Sequence, residues 1–187
     1  MDKTSPAAKF DNVSKAVAII GGLISAFALI VSLRANNNQR ATELRWNQAK
    51  LAAELQDDML ISDAQSFNAL RLSDWGAFDF LVNGATVRIT GDEAKVILDP
   101  KNNDNLPTNG VFVRENFDRL FYRMGKIERA LKSDLIKFED VRSPMDYYVP
   151  SLRSTYGEVL DQYMTQLHDD DACRFMQRFD KNQKCSR

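Results

Sequence analysis

The stretch AVAIIGGLISAFALIVSL, residues 16–33, decides the architecture of this chain. It runs for 18 residues without one charged, amide or proline side chain. A helix of that length rises about 27 Å, close to the roughly 30 Å hydrocarbon thickness of a bilayer. Its Val, Ile, Leu and Phe side chains together favour insertion by about 3 to 6 kcal/mol. The stretch therefore predicts an uncleaved, single-pass membrane anchor.

Two other interpretations of this stretch fit less well. A cleaved signal peptide has an apolar region of about 7 to 15 residues that ends at small side chains. Here the apolar run is longer and ends at Leu33-Arg34. A buried helix of a globular domain keeps a polar face, which this stretch lacks.

Basic residues on the two sides of the predicted span bear on its orientation. Four follow the span and three precede it: Arg34, Arg40, Arg45 and Lys50 against Lys3, Lys9 and Lys15. The excess of one basic residue after the span predicts that the soluble domain lies in the cytoplasm. The two cysteines, Cys173 and Cys185, could be free thiols or one short-loop disulfide. Free thiols in a reducing compartment are the expectation.

Small side chains recur every four residues along the predicted anchor, at Ser14, Ala18, Gly22 and Ala26. Such a stripe lets two helix backbones approach closely in lipid, so it predicts a homo-oligomer. The other interpretation is that Gly, Ala and Ser are simply frequent in membrane spans. The stripe is the predicted site of helix–helix packing.

The rest of the chain predicts a mainly α-helical protein in four parts. These are an N-terminal tail (1–15), the transmembrane helix (16–34), a helical stalk (35–60) and a soluble helical domain (61–187). The stalk contains good helix formers and neither Gly nor Pro. A short heptad-like seam lies along it, at Ala41, Leu44, Gln48, Leu51 and Leu55. This seam could form a coiled coil or pack on the chain's own domain.

Cap and breaker residues divide the first half of the soluble domain. Ser62 followed by Gln65 fits a capping box, and helical spacing then continues to Asn83-Gly84. The next segment favours equally a β-hairpin near 86–98 or a short helix from Asp92. Residues 99–110 predict a loop, because they contain two prolines, a glycine and four asparagines.

Amphipathic helices dominate the second half. The clearest covers residues 113–131, where apolar side chains follow helical spacing. A short helix is predicted after Ser133-Asp134, then a connector bracketed by Pro144 and Pro150. A helix over 151–167 and a last one capped by Asp169–Asp171 complete a small helical bundle.

Several segments resemble a known family. They are FDRLFYRMGKIERAL (117–131), DLI (134–136), YYVP (147–150) and Arg153, behind a long apolar helix. Together they resemble a broad bacterial family of single-pass membrane proteins whose helical domain has no assigned function, over residues 16–168. The resemblance implies a mostly helical cytoplasmic domain on the inner membrane and brings no active site. Ser133 departs from the family's pattern, which has a helix-ending Gly there.

The sequence predicts no catalytic residues, no cofactor and no metal ion, and it contains no phosphate-binding or nucleophile-elbow motif. His168, the one histidine, precedes three aspartates and Cys173, which could be metal ligands. The spacing matches no recognised site, and aspartates at a helix start also favour its dipole. With a net charge of −1, the chain is not expected to bind nucleic acid.

A basic C-terminal tail contains the last group of candidate residues. Cations crowd it beside two phenylalanines, at positions that include Arg174, Arg178, Lys181 and Lys184. These predict contact with anionic lipid or with a partner, or else complement a helix dipole. The sequence favours a membrane-anchored interaction or regulatory protein with an unknown protein partner. A membrane effector whose anchors perturb the bilayer and an enzyme with an unrecognised site are the alternatives.

Overall fold

In the computed structural model of the chain, the long helix α1 runs over Pro6–Asp57. The structure describes residues 6–107, 109–180 and 185, without the side chains of 6–21, 23, 24, 104 and 105. Within the described residues, no helix combines the length and the apolar character that a membrane crossing needs. The predicted span is described only in part, since the side chains of residues 16–21, 23 and 24 are outside the description.

Contacts divide the chain into two units, residues 1–47 and 48–187. The last turns of α1 belong to the second unit. There Ala52 is fully buried, and the amide of Gln48 donates to the carbonyl of Asp134 at 2.8 Å. The amide of Gln56 donates to the carbonyls of Val141 (3.1 Å) and Ser143 (2.6 Å). The C-terminal part of the predicted seam therefore packs on the chain's own domain.

Beyond α1 the second unit contains a π-helical turn, six further α-helices, a β-hairpin and a 3₁₀ segment among the described residues. In chain order these are the turn Asp58–Ser62, α2 (Ala64–Trp75), β1 (Ala77–Val82), β2 (Ala85–Thr90), α3 (Gly91–Leu98), the 3₁₀ segment Pro100–Asn105, α4 (Gly110–Lys132), α5 (Phe138–Tyr156), α6 (Glu158–Leu167) and α7 (Asp170–Gln177).

Helix α2 differs from its prediction at both ends. Its N-cap is Asp63, whose carboxylate accepts from the Ser66 N–H at 3.3 Å, so the capping box expected at Ser62 is wrong. The helix stops at Trp75 because Gly76 takes the left-handed conformation, with φ of 68°. The helical spacing predicted up to residue 83 is therefore wrong beyond residue 75.

The segment after Gly76 forms an antiparallel hairpin in which Phe78 pairs with Ile89. Asn83 (φ 51°) and Gly84 (φ 83°) make its two-residue turn, the conformation that an Asn-Gly pair favours. Of the two alternatives for this segment, the short helix from Asp92 is confirmed as α3, whereas the hairpin lies earlier than 86–98, in β1 and β2. Thr90 and Glu93 form the capping box of α3.

Helix α4 is confirmed as predicted and lies at the centre of the second unit. One face of it is fully buried, with Val113, Phe117, Leu120, Phe121, Met124 and Ile127. Helices α2, α3 and α7 all pack against it. Phe117 meets Tyr156 of α5 edge-on, with ring centroids 5.1 Å apart.

The prolines predicted to bracket a connector lie inside α5, so that part of the prediction is wrong. The helical conformation is interrupted only at Ser143 (φ −90°, ψ 131°). Gly157, with φ of 53°, then separates α5 from α6, which divides the helix predicted over 151–167 in two.

The two cysteines are bonded to each other. Cys173 on α7 and Cys185 form a disulfide with an S–S distance of 2.03 Å, so the expectation of free thiols is wrong. Because Cys173 is consumed in this bond, it offers no thiolate to a metal ion. The cysteines also no longer favour a reducing compartment.

Candidate interaction surface

An arginine at the end of α2 is stacked against three aromatic side chains. Phe67, Arg71 and Trp75 follow each other at intervals of four residues, so they share one helix face. Phe78 reaches the same place from the start of β1. The guanidinium carbon of Arg71 lies over the rings of Phe67 (4.3 Å), Phe78 (4.7 Å) and Trp75 (5.7 Å). We call these four residues the arginine–aromatic cluster.

Further aromatic rings extend the cluster towards α4. Trp75 contacts Phe78 with ring centroids 5.2 Å apart, and Phe78 contacts Phe80 at 4.9 Å. Phe80 in turn contacts Phe112 on α4 at 5.4 Å. Phe80 is buried, so the inner end of this row anchors the cluster in the core. The cluster is thus held on packed helix and strand, which limits its motion.

The positive charge of Arg71 has no carboxylate partner among the described residues. The ion pairs found there do not include Arg71, and its buried Nε–H has no hydrogen-bond acceptor. The acids that follow it in sequence are engaged elsewhere: Asp74 accepts from the hydroxyl of Tyr147, and Asp79 pairs with Arg88 at 3.3 Å. Among the described residues, this half-buried cation is therefore stabilised by aromatic rings and not by an acid.

Two large aromatic side chains at this end of α2 remain open to solvent. Trp75, beside Arg71, is 59% exposed, and Tyr147, which donates to Asp74, is 56% exposed. Trp, Tyr and Arg are the residues that most often dominate the binding energy of protein interfaces. The cluster therefore has the composition of a contact surface for another molecule.

The sequence predicted a helix through Phe67 and Trp75 and did not single out Arg71. The signal that could have found the cluster is the four-residue interval of Phe67, Arg71 and Trp75. The contribution of Phe78 could not be found that way, because this residue was assigned to the helix rather than to a strand.

The structure describes two of the four residues predicted for the basic tail, and both of these pair with acids. Arg178 donates to both carboxylate oxygens of Glu128, at 2.6 and 3.0 Å, and Arg174 donates to Asp171 at 3.4 Å. Lys181 and Lys184 lie outside the described residues. Two of the four predicted contact residues thus pair with acids of the chain itself.

The small-residue stripe is described only in part. Gly22 and Ala26 lie on α1 and are exposed, and apart from the helix's own backbone no described atom lies within 4 Å of the position that a Cβ on Gly22 would take. The side chains of Ser14 and Ala18 lie outside the description. Oligomerisation through this stripe stays a prediction.

The aspartates after His168 make contacts other than those expected of a helix cap. Asp169 is the N-cap of α7, but its side chain makes no capping hydrogen bond. Asp171 instead pairs with Lys132 (2.7 Å) and Arg129 (3.1 Å) of α4. The hydrogen bond from Lys132 is the main reason that the pKa of Asp171 lies below its ordinary value. Among the described residues, no group of His, Cys, Asp and Glu is arranged to hold a metal ion.

A polar pair of the buried Tyr163 and the half-buried Asp118 joins α6 to α4. The hydroxyl of Tyr163 donates to the carboxylate of Asp118 at 2.7 Å. Burial raises the pKa of Asp118, and burial together with this hydrogen bond raises the pKa of Tyr163. Burial, followed by the negative charge of Asp118, also raises the pKa of Asp169. This hydrogen bond gives both the Tyr163 hydroxyl and the Asp118 carboxylate a partner inside the protein.

A cleft of about 720 Å³ opens beside α6 and is lined by Arg153, Asp161 and Cys185 among others. Arg153 pairs there with Asp161 at 2.6 Å and with Asp180 at 3.6 Å. The charge of Arg153 is therefore balanced by acids of the chain, whereas no acid among the described residues balances that of Arg71. The arginine–aromatic cluster is the better candidate for recognition of another molecule. No protein-family model, no curated protein and no solved structure matches this chain.

Proposed function

We propose that this chain is a membrane-anchored interaction protein that contacts a partner protein through the arginine–aromatic cluster. The observation that carries the proposal is the exposed Trp75 beside an arginine whose charge no acid of the described chain balances. Exposed aromatic rings around a cation supply both apolar area and a specific polar contact. The packed row of rings behind them fixes their geometry before any partner arrives, which lowers the entropy cost of binding.

The anchor in this proposal is the apolar stretch 16–33. Helix α1 is continuous through this stretch, so every backbone N–H and C=O within it can be satisfied inside one helix, as a bilayer requires. The stretch has no polar or charged side chain to line a pore other than Ser25 and Ser32. This composition supports tethering rather than conduction, and so favours an interaction protein over a membrane effector.

Two features bear on the side of the membrane on which the second unit lies. The basic residues around the span favour the cytoplasm by a margin of one. The disulfide between Cys173 and Cys185 favours an oxidising compartment, because such bonds are rare in the cytosol. We give the disulfide the greater weight and propose that the second unit lies on the oxidising side. This orientation replaces the cytoplasmic one expected from the sequence.

Photo-crosslinking from position 75 tests the contact surface. A photo-reactive phenylalanine analogue replaces Trp75 in the full-length chain in its own membranes. We expect a covalent adduct with a second protein, and its loss when Arg71→Ala is added. The matched control places the analogue at Val96 on α3, which is 61% exposed and lies outside the cluster. No adduct from position 75, or an equal adduct from position 96, would show that the cluster is not the contact surface.

A further inference from the structure

The charge of Arg71 identifies the kind of partner that the cluster fits. The central guanidinium carbon Cζ of Arg71 lies over the rings of Phe67 and Phe78, within 5 Å of both centroids. A planar guanidinium contacts rings through its faces and donates hydrogen bonds through its edge, so the two interactions do not compete. The edge is the part that binds a carboxylate with two parallel N–H···O bonds.

The described chain does not supply that carboxylate itself. Asp74 is bonded to Tyr147, and Asp79 is paired with Arg88 across the hairpin. Arg71 contributes a buried Nε–H that makes no hydrogen bond. A buried donor without an acceptor is unfavourable, and no acid of the described chain relieves it.

The aromatic rings around Arg71 favour a peptide over a free phosphate as the ligand. A free phosphate has no apolar part that could lie on them. The exposed ring of Trp75 adds an apolar surface on which the side chains of a peptide can lie.

We propose that the arginine–aromatic cluster recognises an acidic peptide segment of a partner protein, with Arg71 binding one carboxylate by its edge. This proposal rests on the proposed function and names the chemistry of the partner. Trp75 lies beside the bound carboxylate and reports binding through its fluorescence. Arg71 is in this account the residue that determines specificity for acidic over neutral segments.

The test is a fluorescence titration of the full chain in detergent micelles. Trp46→Phe leaves Trp75 as the one tryptophan, since the sequence has two. The probe is an acetylated hexaglutamate peptide, and hexalysine and inorganic phosphate are the comparison ligands. We expect a saturable change in Trp75 emission with hexaglutamate alone. Arg71→Gln is expected to weaken binding by about tenfold or more, as loss of a charge-assisted hydrogen bond does.

The control variant Lys95→Gln removes an exposed cation of α3, outside the cluster, and should leave the affinity unchanged. The absence of a saturable change, an equal affinity in Arg71→Gln, or tighter binding of phosphate would overturn the acidic-peptide proposal. Each of these results is compatible with a specific crosslink from position 75. Failure of this inference is therefore distinguishable from failure of the proposed function, in which that crosslink is missing.

Discussion

Replacing Asp63 with Ala is expected to lower the free energy of unfolding by about 3 kcal/mol. Asp63 caps α2, and its carboxylate also accepts hydrogen bonds from Arg119 and from Arg123 (2.8 Å) on α4. Only 6% of its side chain is exposed. The substitution therefore removes a helix cap and leaves Arg123, itself 14% exposed, without one of its two acid partners.

The acid dependence of stability should change in the same variant. Burial alone would raise the pKa of Asp63, but hydrogen bonds from Arg123, Arg119 and the Ser66 N–H outweigh it and leave the pKa below its ordinary 3.8. The unfolded chain therefore binds the proton more readily than the folded chain does. The stabilisation is complete above about pH 4 and is lost as pH falls through the folded pKa. The variant should lack this component of acid unfolding.

Denaturant unfolding of the full chain in detergent micelles measures both effects. The control is Asp79→Ala, which removes an exposed pair with Arg88 and should cost less than about 1 kcal/mol. If Asp63→Ala costs no more than Asp79→Ala, the contact between α2 and α4 does not depend on this carboxylate.

Arg178→Ala is the second substitution with a large expected effect, a loss of about 2 kcal/mol. Arg178 follows α7 and binds Glu128 of α4 with two hydrogen bonds. Its hydrogen bond to Glu128 raises the pKa of Arg178 above its ordinary value. The side chain of Glu128 is 3% exposed, so removing the arginine leaves a carboxylate buried without its counter-charge.

Substitution of the partner, Glu128→Gln, should lower the free energy of unfolding less than Arg178→Ala does. The side chain of Arg178 is 36% exposed and can turn into solvent when its partner loses its charge. The amide of Gln also keeps part of the hydrogen bonding. Thermal unfolding of the two variants and of their combination measures this difference. Equal losses in the two single variants would contradict the assignment of Glu128 as the costly buried member of the pair.

The sequence predicted α4 well because that helix is long and its apolar face is regular. It failed between residues 76 and 82, where Phe78 and Leu81 fit a helical interval by coincidence. The segment Ala77–Val82 also alternates, with Phe80 and Val82 buried and Leu81 exposed, and this is the period that the structure adopts. Because Gly76 ends α2, the residues after it follow the two-residue alternation of a strand and not the spacing of a helix.

The candidate surface could be predicted only in part, because it depends on contacts between segments distant in the chain. The four-residue interval between Arg71 and Trp75 is visible in the sequence, because both residues lie on one predicted helix. The distances that place Phe78 over the same guanidinium, and Tyr147 on Asp74, follow from tertiary packing. In the same way, nothing in the local sequence of Arg178 indicates that it pairs with Glu128 rather than with lipid.

Membrane fractionation of the full chain tests the central claim that residues 16–33 anchor it. Whole cells are treated with a thiol-reactive polymer that labels free cysteines, and their membranes are then extracted at alkaline pH. We expect the full chain to stay in the pellet, and a variant lacking residues 16–33 to move to the supernatant. The two cysteines should take up the polymer only after reduction, as expected on the oxidising side of the membrane. Recovery of the full chain in the alkaline supernatant would contradict the anchor, and two adducts without reductant would contradict the orientation.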